Sequence, residues 1–145
     1  MDIFFDTTVL VAASVQNHPH FGRARPALQR VARGQDKGFI SAHSTAEVYA
    51  VLTRLPVRPR ILPLEALRLI TENILPHFEQ VGITKRDYLD ALNIVGNGGW
   101  GGGKIYDALL LCSAAKCSVD RIYTFNLEDF RRLALPALQA LICAP

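Results

Sequence analysis

The chain has 145 residues, half of them apolar and a fifth charged, and a formal net charge of +3 at pH 7. That length supports one ordinary domain with a sizeable core, spanning residues 1–145, while so mild a charge does not by itself mark a nucleic-acid binder. The longest apolar runs, such as Ala108–Cys112, are too short to cross a bilayer. Asp2 and Asp6 bracket the first apolar run, unlike a secretory leader, so a cytoplasmic address is expected.

Three cysteines (Cys112, Cys117 and Cys143) are an odd number at a spacing that suits neither a disulfide framework nor a zinc knuckle, and reduced thiols are expected. The mean hydropathy of +0.17 is high for a domain of this size and points to apolar surface reserved for a partner.

Taken in chain order, Ile3-Phe4-Phe5 reads as a short strand ending at Asp6, followed by a helix over Val9–Val15 and a second over Phe21–Ala32. Gly34 and Gly38 precede a brief strand, Phe39–Ser41. Ser44 or Thr45 is then placed to cap a helix that stops at Pro56. Pro63 opens a helix to about Leu75, and Glu79–Val81 reads as an edge strand. Thr84 and Asp87 have the spacing of a capping box for a helix through Leu89, Leu92 and Val95. A glycine-dense break, Gly96–Gly103, leads into the apolar helix Ile105–Ala115. A strand at Arg121–Phe125, a short helix near Asp129–Leu133 and a last strand within Leu138–Cys143 close the pattern. Short strands alternating with helices imply a three-layer α/β/α architecture around a short parallel central sheet.

Several carboxylates fall where this pattern buries its residues. Asp6 directly follows the first strand and reads equally as a helix N-cap. Asp107 sits among Ile105, Ala108, Leu109 and Leu110, where an unpaired carboxylate is costly. Glu47 lies between Ala46 and Val48, with a first-turn, dipole-stabilised glutamate as the bland alternative. Ligands of parallel sheets gather outside the carboxyl ends of the strands, where Asp6, Asn126 and Asp129 are all expected. Carboxylates converging there would repel one another, and a hard divalent cation with oxygen ligands, magnesium or manganese in its place, relieves that repulsion.

The segments DTTVLVA from Asp6, EVYAVLTRLP from Glu47, YDALLLCSAA around Asp107 and IYTFNLEDF near Asn126 resemble, in order, the four motifs of PIN domains, in particular their VapC-like toxin branch. The resemblance spans nearly the whole chain. It implies a PIN-like fold and a Mg2+-dependent endoribonuclease acting as the toxin of a toxin–antitoxin pair, leaving 5′-phosphate and 3′-hydroxyl ends. The family's active-site acids correspond to Asp6, Glu47 and Asp107, with Asp6 and Asp107 as principal metal ligands. The fourth acidic position is Asn126 here, so either Asn126 or Asp129 completes the site. Thr8, Arg54 and Lys104 are candidate RNA contacts, and an antitoxin and a homodimer are the implied protein partners.

Other signals are weaker. Gly98 to Lys104 has the glycine spacing of a phosphate-binding loop, but Ile105 stands where its metal-binding Ser or Thr belongs and a helix precedes it. A flexible loop bringing Trp100 and Lys104 to RNA is the preferred reading. His18, His20, His43 and His77 read as surface or capping residues. The rival functions are a non-catalytic PIN-like module binding RNA or protein, and a metal-dependent phosphohydrolase of small phosphoesters.

Overall fold

The computed structural model describes residues 1–145. The first half contains β1 (Asp2–Phe5), α1 (Thr7–Ser14), α2 (Phe21–Ala32), β2 (Lys37–Ser41), α3 (Ala42–Arg54) and α4 (Pro63–Asn73). The second contains β3 (Phe78–Val81), α5 (Lys85–Gly98), α6 (Lys104–Ala115), β4 (Arg121–Tyr123), α7 (Leu127–Leu133), α8 (Pro136–Gln139) and β5 (Ile142–Cys143). All five strands are parallel, in the order β3-β2-β1-β4-β5, with Ile3 opposite Gly38 on one side and Arg121 on the other.

Alternation along the strands divides the core between the two faces of the sheet. Ile3, Phe5, Ile40 and Phe78 pack beneath α1–α4, whereas Phe4, Phe39, Ile122 and Ile142 pack beneath α5–α8. Each fully buried Phe, Leu or Ile contributes about 1.5–3 kcal/mol relative to exposure. Gly38 is required by this packing: a Cβ there would lie 2.5 Å from the Phe78 ring and 2.7 Å from Val31 Cγ1. The order of strands reverses at β1, since β2 and β3 lie to one side and β4 and β5 to the other. The crevice between the carboxyl ends of β1 and β4 is therefore the topological switch point, where ligands of open α/β sheets bind.

The expected α/β/α layers and parallel sheet are present, as are the capping box of Thr84 with Asp87 and three unpaired cysteines. Several boundaries differ. Helix α1 begins at Thr7 rather than Val9. Helix α3 starts directly where β2 ends, so Ser41, not Ser44 or Thr45, is its cap and accepts a hydrogen bond from the His43 amide at 3.2 Å. Glu47 consequently lies in the second turn, out of reach of first-turn stabilisation.

Helix α5 runs through Gly96 to Gly98 and stops at Gly99, whose φ of +73° ends it. A glycine costs a helix only about 1 kcal/mol, which tertiary packing overrides. Its buried face is Ala91 and Val95, while Leu89 and Leu92 are exposed. The tail divides into α8 and β5, because Pro136 starts a helical turn.

Candidate active site

Asp6 leaves the central strand at the switch point and is only 2% exposed. It occupies the N-cap position of α1 but makes no side-chain capping bond, so the capping reading does not hold. Its Oδ2 instead accepts hydrogen bonds from Thr8 Oγ1 at 2.5 Å and Thr124 Oγ1 at 2.7 Å. Burial pushes the Asp6 carboxyl above the ordinary range, against the pull of these hydroxyls. Thr124, just past β4, is itself held by the turn that follows: its Oγ1 accepts from the Asn126 backbone N–H at 2.9 Å, while its own hydroxyl ties the end of β4 to the Asp6 side chain.

Glu47 projects from α3. Its Oε2 is buried with no hydrogen-bond donor directed at it, although His43 Nε2, one turn earlier, approaches to 3.2 Å without hydrogen-bond alignment. The Glu47 carboxyl is pushed up to about 7, first by burial and then by the charges of Asp6 and Asp107. Asp107, in the first turn of α6, is pushed up to about 6 by burial and by Asp6, with Lys104 opposing. The amide nitrogen of Asn126 donates to Asp107 Oδ2 at 3.2 Å. Three elements thus bring Asp6, Glu47 and Asp107 within electrostatic reach of one another.

The remaining sequence-selected residues are distributed unequally. Asp129 is engaged by Lys104, which holds its carboxyl below the usual range. Lys104 therefore reaches the acidic rim through Asp129. Arg54 lies exposed at the end of α3 and makes no ion pair with Glu47. Trp100 is half-buried in the core beneath α5–α8, with the Arg132 guanidinium 6.0 Å from its ring, so it is not part of an open glycine loop. Thr8 lines a cleft of about 460 Å³ together with Thr7, Glu47, Asn126, His20 and Phe125. A cleft of similar size lined by Leu111, Cys112, Leu133 and Leu135 contains none of the three acids.

No group of three His, Cys, Asp or Glu side chains is drawn close enough to form a complete metal-ligand set. The donor chemistry nonetheless fits a hard divalent cation. The candidate donors are carboxylate, hydroxyl and amide oxygens, two of the acids are raised towards neutrality by burial first and neighbouring carboxylates second, and one buried oxygen lacks any donor.

Two residues that the sequence reading left aside stand at this rim. His43 stacks in parallel on Tyr106, with ring centroids 5.3 Å apart. Their signal was local: His43 precedes Glu47 by one helical turn, and Tyr106 immediately precedes Asp107.

A family model described as PIN domain matches residues 3–135. Ribonuclease VapC27 of Mycobacterium tuberculosis is 34% identical over 77 residues, which is 53% of this chain and 54% of that protein; the match therefore spans about half the length of the curated relative. Among solved structures, the chain is similar to Mycobacterium tuberculosis VapC20, a Sarcin-Ricin loop cleaving toxin, with a TM-score of 0.69 at 16% identity, covering 88% of this chain and 92% of that one. It is also similar to VapBC2 from Rickettsia felis bound to a promoter DNA fragment, with a TM-score of 0.66 at 18% identity, covering 99% and 98%. At such identities these two structures speak to the fold alone.

Proposed function

Since the chain belongs to the PIN-domain family, we propose that it is a metal-dependent endoribonuclease acting as the toxin of a toxin–antitoxin pair. The observation that carries this reading is the buried, undonated Oε2 of Glu47 set against Asp6 and Asp107 at the switch point of the sheet. The ribonuclease named among the relatives supports the choice of RNA over small phosphoesters.

Asp6 and Asp107 are the residues that hold Mg2+, or Mn2+ in its place. When bound, such an ion supplies the positive charge that acidifies water and steadies phosphate oxygens. Thr8 and Thr124 fix the rotamer of Asp6 by donating to one of its oxygens, which leaves the other carboxylate oxygen for ligation. Asn126 orients Asp107 through its amide donor, the role of an outer-shell support. Glu47 orients the attacking water with Oε2, and Lys104, besides pairing with Asp129, offers a cation to the RNA backbone. Asp129, already neutralised by Lys104, supports the rim rather than completing the ligand set.

The test is cleavage of structured RNA by the purified protein with Mg2+ or Mn2+, with chelator, and in Asp6→Asn. Metal-dependent cleavage lost in the variant is expected. Retention of full activity in Asp6→Asn would remove the proposed site, and turnover of nucleotide monophosphates without RNA cleavage would favour the small-phosphoester reading. Metal binding with no cleavage of any RNA would favour a non-catalytic module, a reading motivated by an amide in the fourth acidic position.

The protein partners are proposed from exposed apolar side chains. The segment Val9–Ala32 exposes none of its large apolar residues, because α1 is buried nearly all round. Tyr49 of α3, Leu62 just before α4, and Leu64 and Leu67 of α4 are exposed instead, and they are the surface proposed for an antitoxin bearing an arginine near its C-terminus that neutralises the acids. Tyr88, Leu89 and Leu92 of α5 form a separate exposed stripe suited to a homodimer. Co-purification with the neighbouring gene's product, followed by metal titration of the complex, tests the first; sedimentation of Leu92→Glu tests the second. No helix is long and apolar enough to cross a membrane.

A further inference from the structure

Tyr106 immediately precedes Asp107 in the first turn of α6 and is 48% exposed. Its ring lies parallel to the His43 imidazole, with centroids 5.3 Å apart and planes within 7°. His43 in turn brings Nε2 to 3.2 Å from Glu47 Oε2. The stacked pair is therefore tied to Asp107 through the chain and stands beside Glu47, whose Oε2 the imidazole approaches without hydrogen-bond alignment. An aromatic ring held in this way keeps a fixed orientation while leaving much of its surface in water.

The other aromatic rings near the acids are already committed. Phe125 is half-buried, stacked on His20 at 4.2 Å and flanked by the Arg23 guanidinium at 5.9 Å. Trp100 is packed into the core beneath α5–α8. Remaining exposed large apolar groups, such as Leu64 and Leu67 on α4 or Leu89 and Leu92 on α5, continue stripes along helix surfaces. Tyr106 alone combines an open ring, a rigid aromatic backing and a position one residue from a site carboxylate.

We propose that Tyr106, backed by His43, is a stacking platform for a nucleobase adjacent to the scissile phosphate; this inference rests on the ribonuclease reading above. A base has a flat apolar face of any sequence identity, and an aromatic ring binds it through that face without selecting which base it is. Backing by His43 removes the cost of ordering the ring on binding. A base lying on Tyr106 has left its own helical stack, so the platform sets the register of cleavage by requiring an unstacked base at one fixed distance from the cut. Tyr106 acts on affinity and register, while His43 is a positioning residue that holds the ring.

The probe is a short single-stranded oligoribonucleotide carrying 2-aminopurine at each position in turn, titrated with wild-type protein in chelator so that no strand is cut. Quenching at one position that vanishes in Tyr106→Ala, with affinity lowered about tenfold, is expected, because one base–aromatic stack accounts for a loss of that order. Tyr106→Trp should retain the quench, and His43→Ala should weaken it. In the cleavage assay Tyr106→Ala should raise KM with little change in kcat. Removing the base at the quenched position should cost the wild type as much as the substitution does and add nothing to Tyr106→Ala. Equal quenching in wild type and Tyr106→Ala, or additive losses from the abasic site and the substitution, would overturn the platform. If the wild type cuts no RNA, the ribonuclease reading falls, while the quenching titration still decides whether Tyr106 binds a base.

Discussion

Asp36 and Asp6 lie at opposite ends of the same parallel sheet, Asp36 just before β2 and Asp6 just after β1, and both are buried, at 7% and 2% exposure. Asp36 accepts two hydrogen bonds from Arg30, at 2.6 and 3.2 Å, and one from the N-terminal amine at 3.0 Å. Those donors hold its carboxyl below the ordinary range, against the upward push of burial. Asp6 receives the hydroxyl donors of Thr8 and Thr124 and has Glu47 and Asp107 for charged neighbours, and its carboxyl is raised, first by burial. Asp87 repeats the first arrangement, with Lys116 at 2.5 Å and the Thr84 amide at 2.8 Å. The chain thus supplies its own cations where a buried carboxylate is structural, and gives Asp6 and Asp107 no ion pair at the carboxyl ends of β1 and β4, where Lys104 pairs with Asp129. A buried acid without an internal cation is a demand for an external one.

The comparison is broken most severely by removing an acid from the unsatisfied set. Asp107→Asn is expected to reduce RNA cleavage by more than the roughly 10–100-fold typical of losing an outer-shell partner of a metal site. Its melting temperature in chelator should be unchanged or raised, since like-charge repulsion is relieved. A variant with wild-type kinetics would separate Asp107 from the chemistry. Asn126→Ala comes next, with a fall in metal affinity of about 10–100-fold, because it frees Asp107 from its amide donor. Asp129→Ala should fall short of that, and isothermal titration with Mn2+ ranks the two. The reverse ranking would assign the fourth position to Asp129.

Removing a satisfied acid should act on stability instead. Asp87→Ala strands Lys116 and removes the Asp87 half of the α5 capping box, and a loss of about 1–3 kcal/mol in denaturant unfolding is expected. Its cleavage rate at low temperature should be unaltered. A loss of activity at full stability would show that Asp87 is not merely structural.

The smallest effect separates the two sets by pH. In metal-free protein Glu47 and Asp107 ionise later in the folded chain than in the unfolded one, so between about pH 4 and 7 the unfolded chain binds fewer protons and stability falls as pH rises. Asp36 and Asp87 are shifted downward, so their contribution is present above about pH 4 and is lost as pH falls through their folded values. Melting temperature against pH in chelator should therefore decline towards neutrality, and Asp107→Asn should flatten the decline. Parallel curves for the two proteins would contradict the proposed repulsion.

Strand–helix alternation was legible along the chain because Ile3-Phe4-Phe5, Phe39–Ser41 and Arg121–Phe125 are short apolar runs between helical patterns, and such runs leave few options but a covered parallel sheet. The acids were legible because Asp107 contradicts the apolar helix around it. Cap positions, the extent of α5 and the tail were less legible, since those depend on where a neighbouring strand ends or on packing that overrides glycine. Which buried acid keeps a partner was not legible at all: Asp36 meets Arg30 only across the α2–β2 turn, and Asp87 meets Lys116 only across two packed helices.

By itself the sequence determined the layers, the parallel sheet and the apolar surroundings of Asp6, Glu47 and Asp107, because these follow from local periodicity and the cost of burying charge. Only the tertiary structure decided that Asp6 binds the hydroxyls of Thr8 and Thr124 instead of capping α1, that Lys104 goes to Asp129, and that Trp100 turns inward while Tyr106 stays open against His43. Apart from the local Asp6–Thr8 bond, those outcomes depend on contacts between elements far apart in the chain, and competition among donors for a carboxylate is settled by which of them the fold brings within about 3 Å.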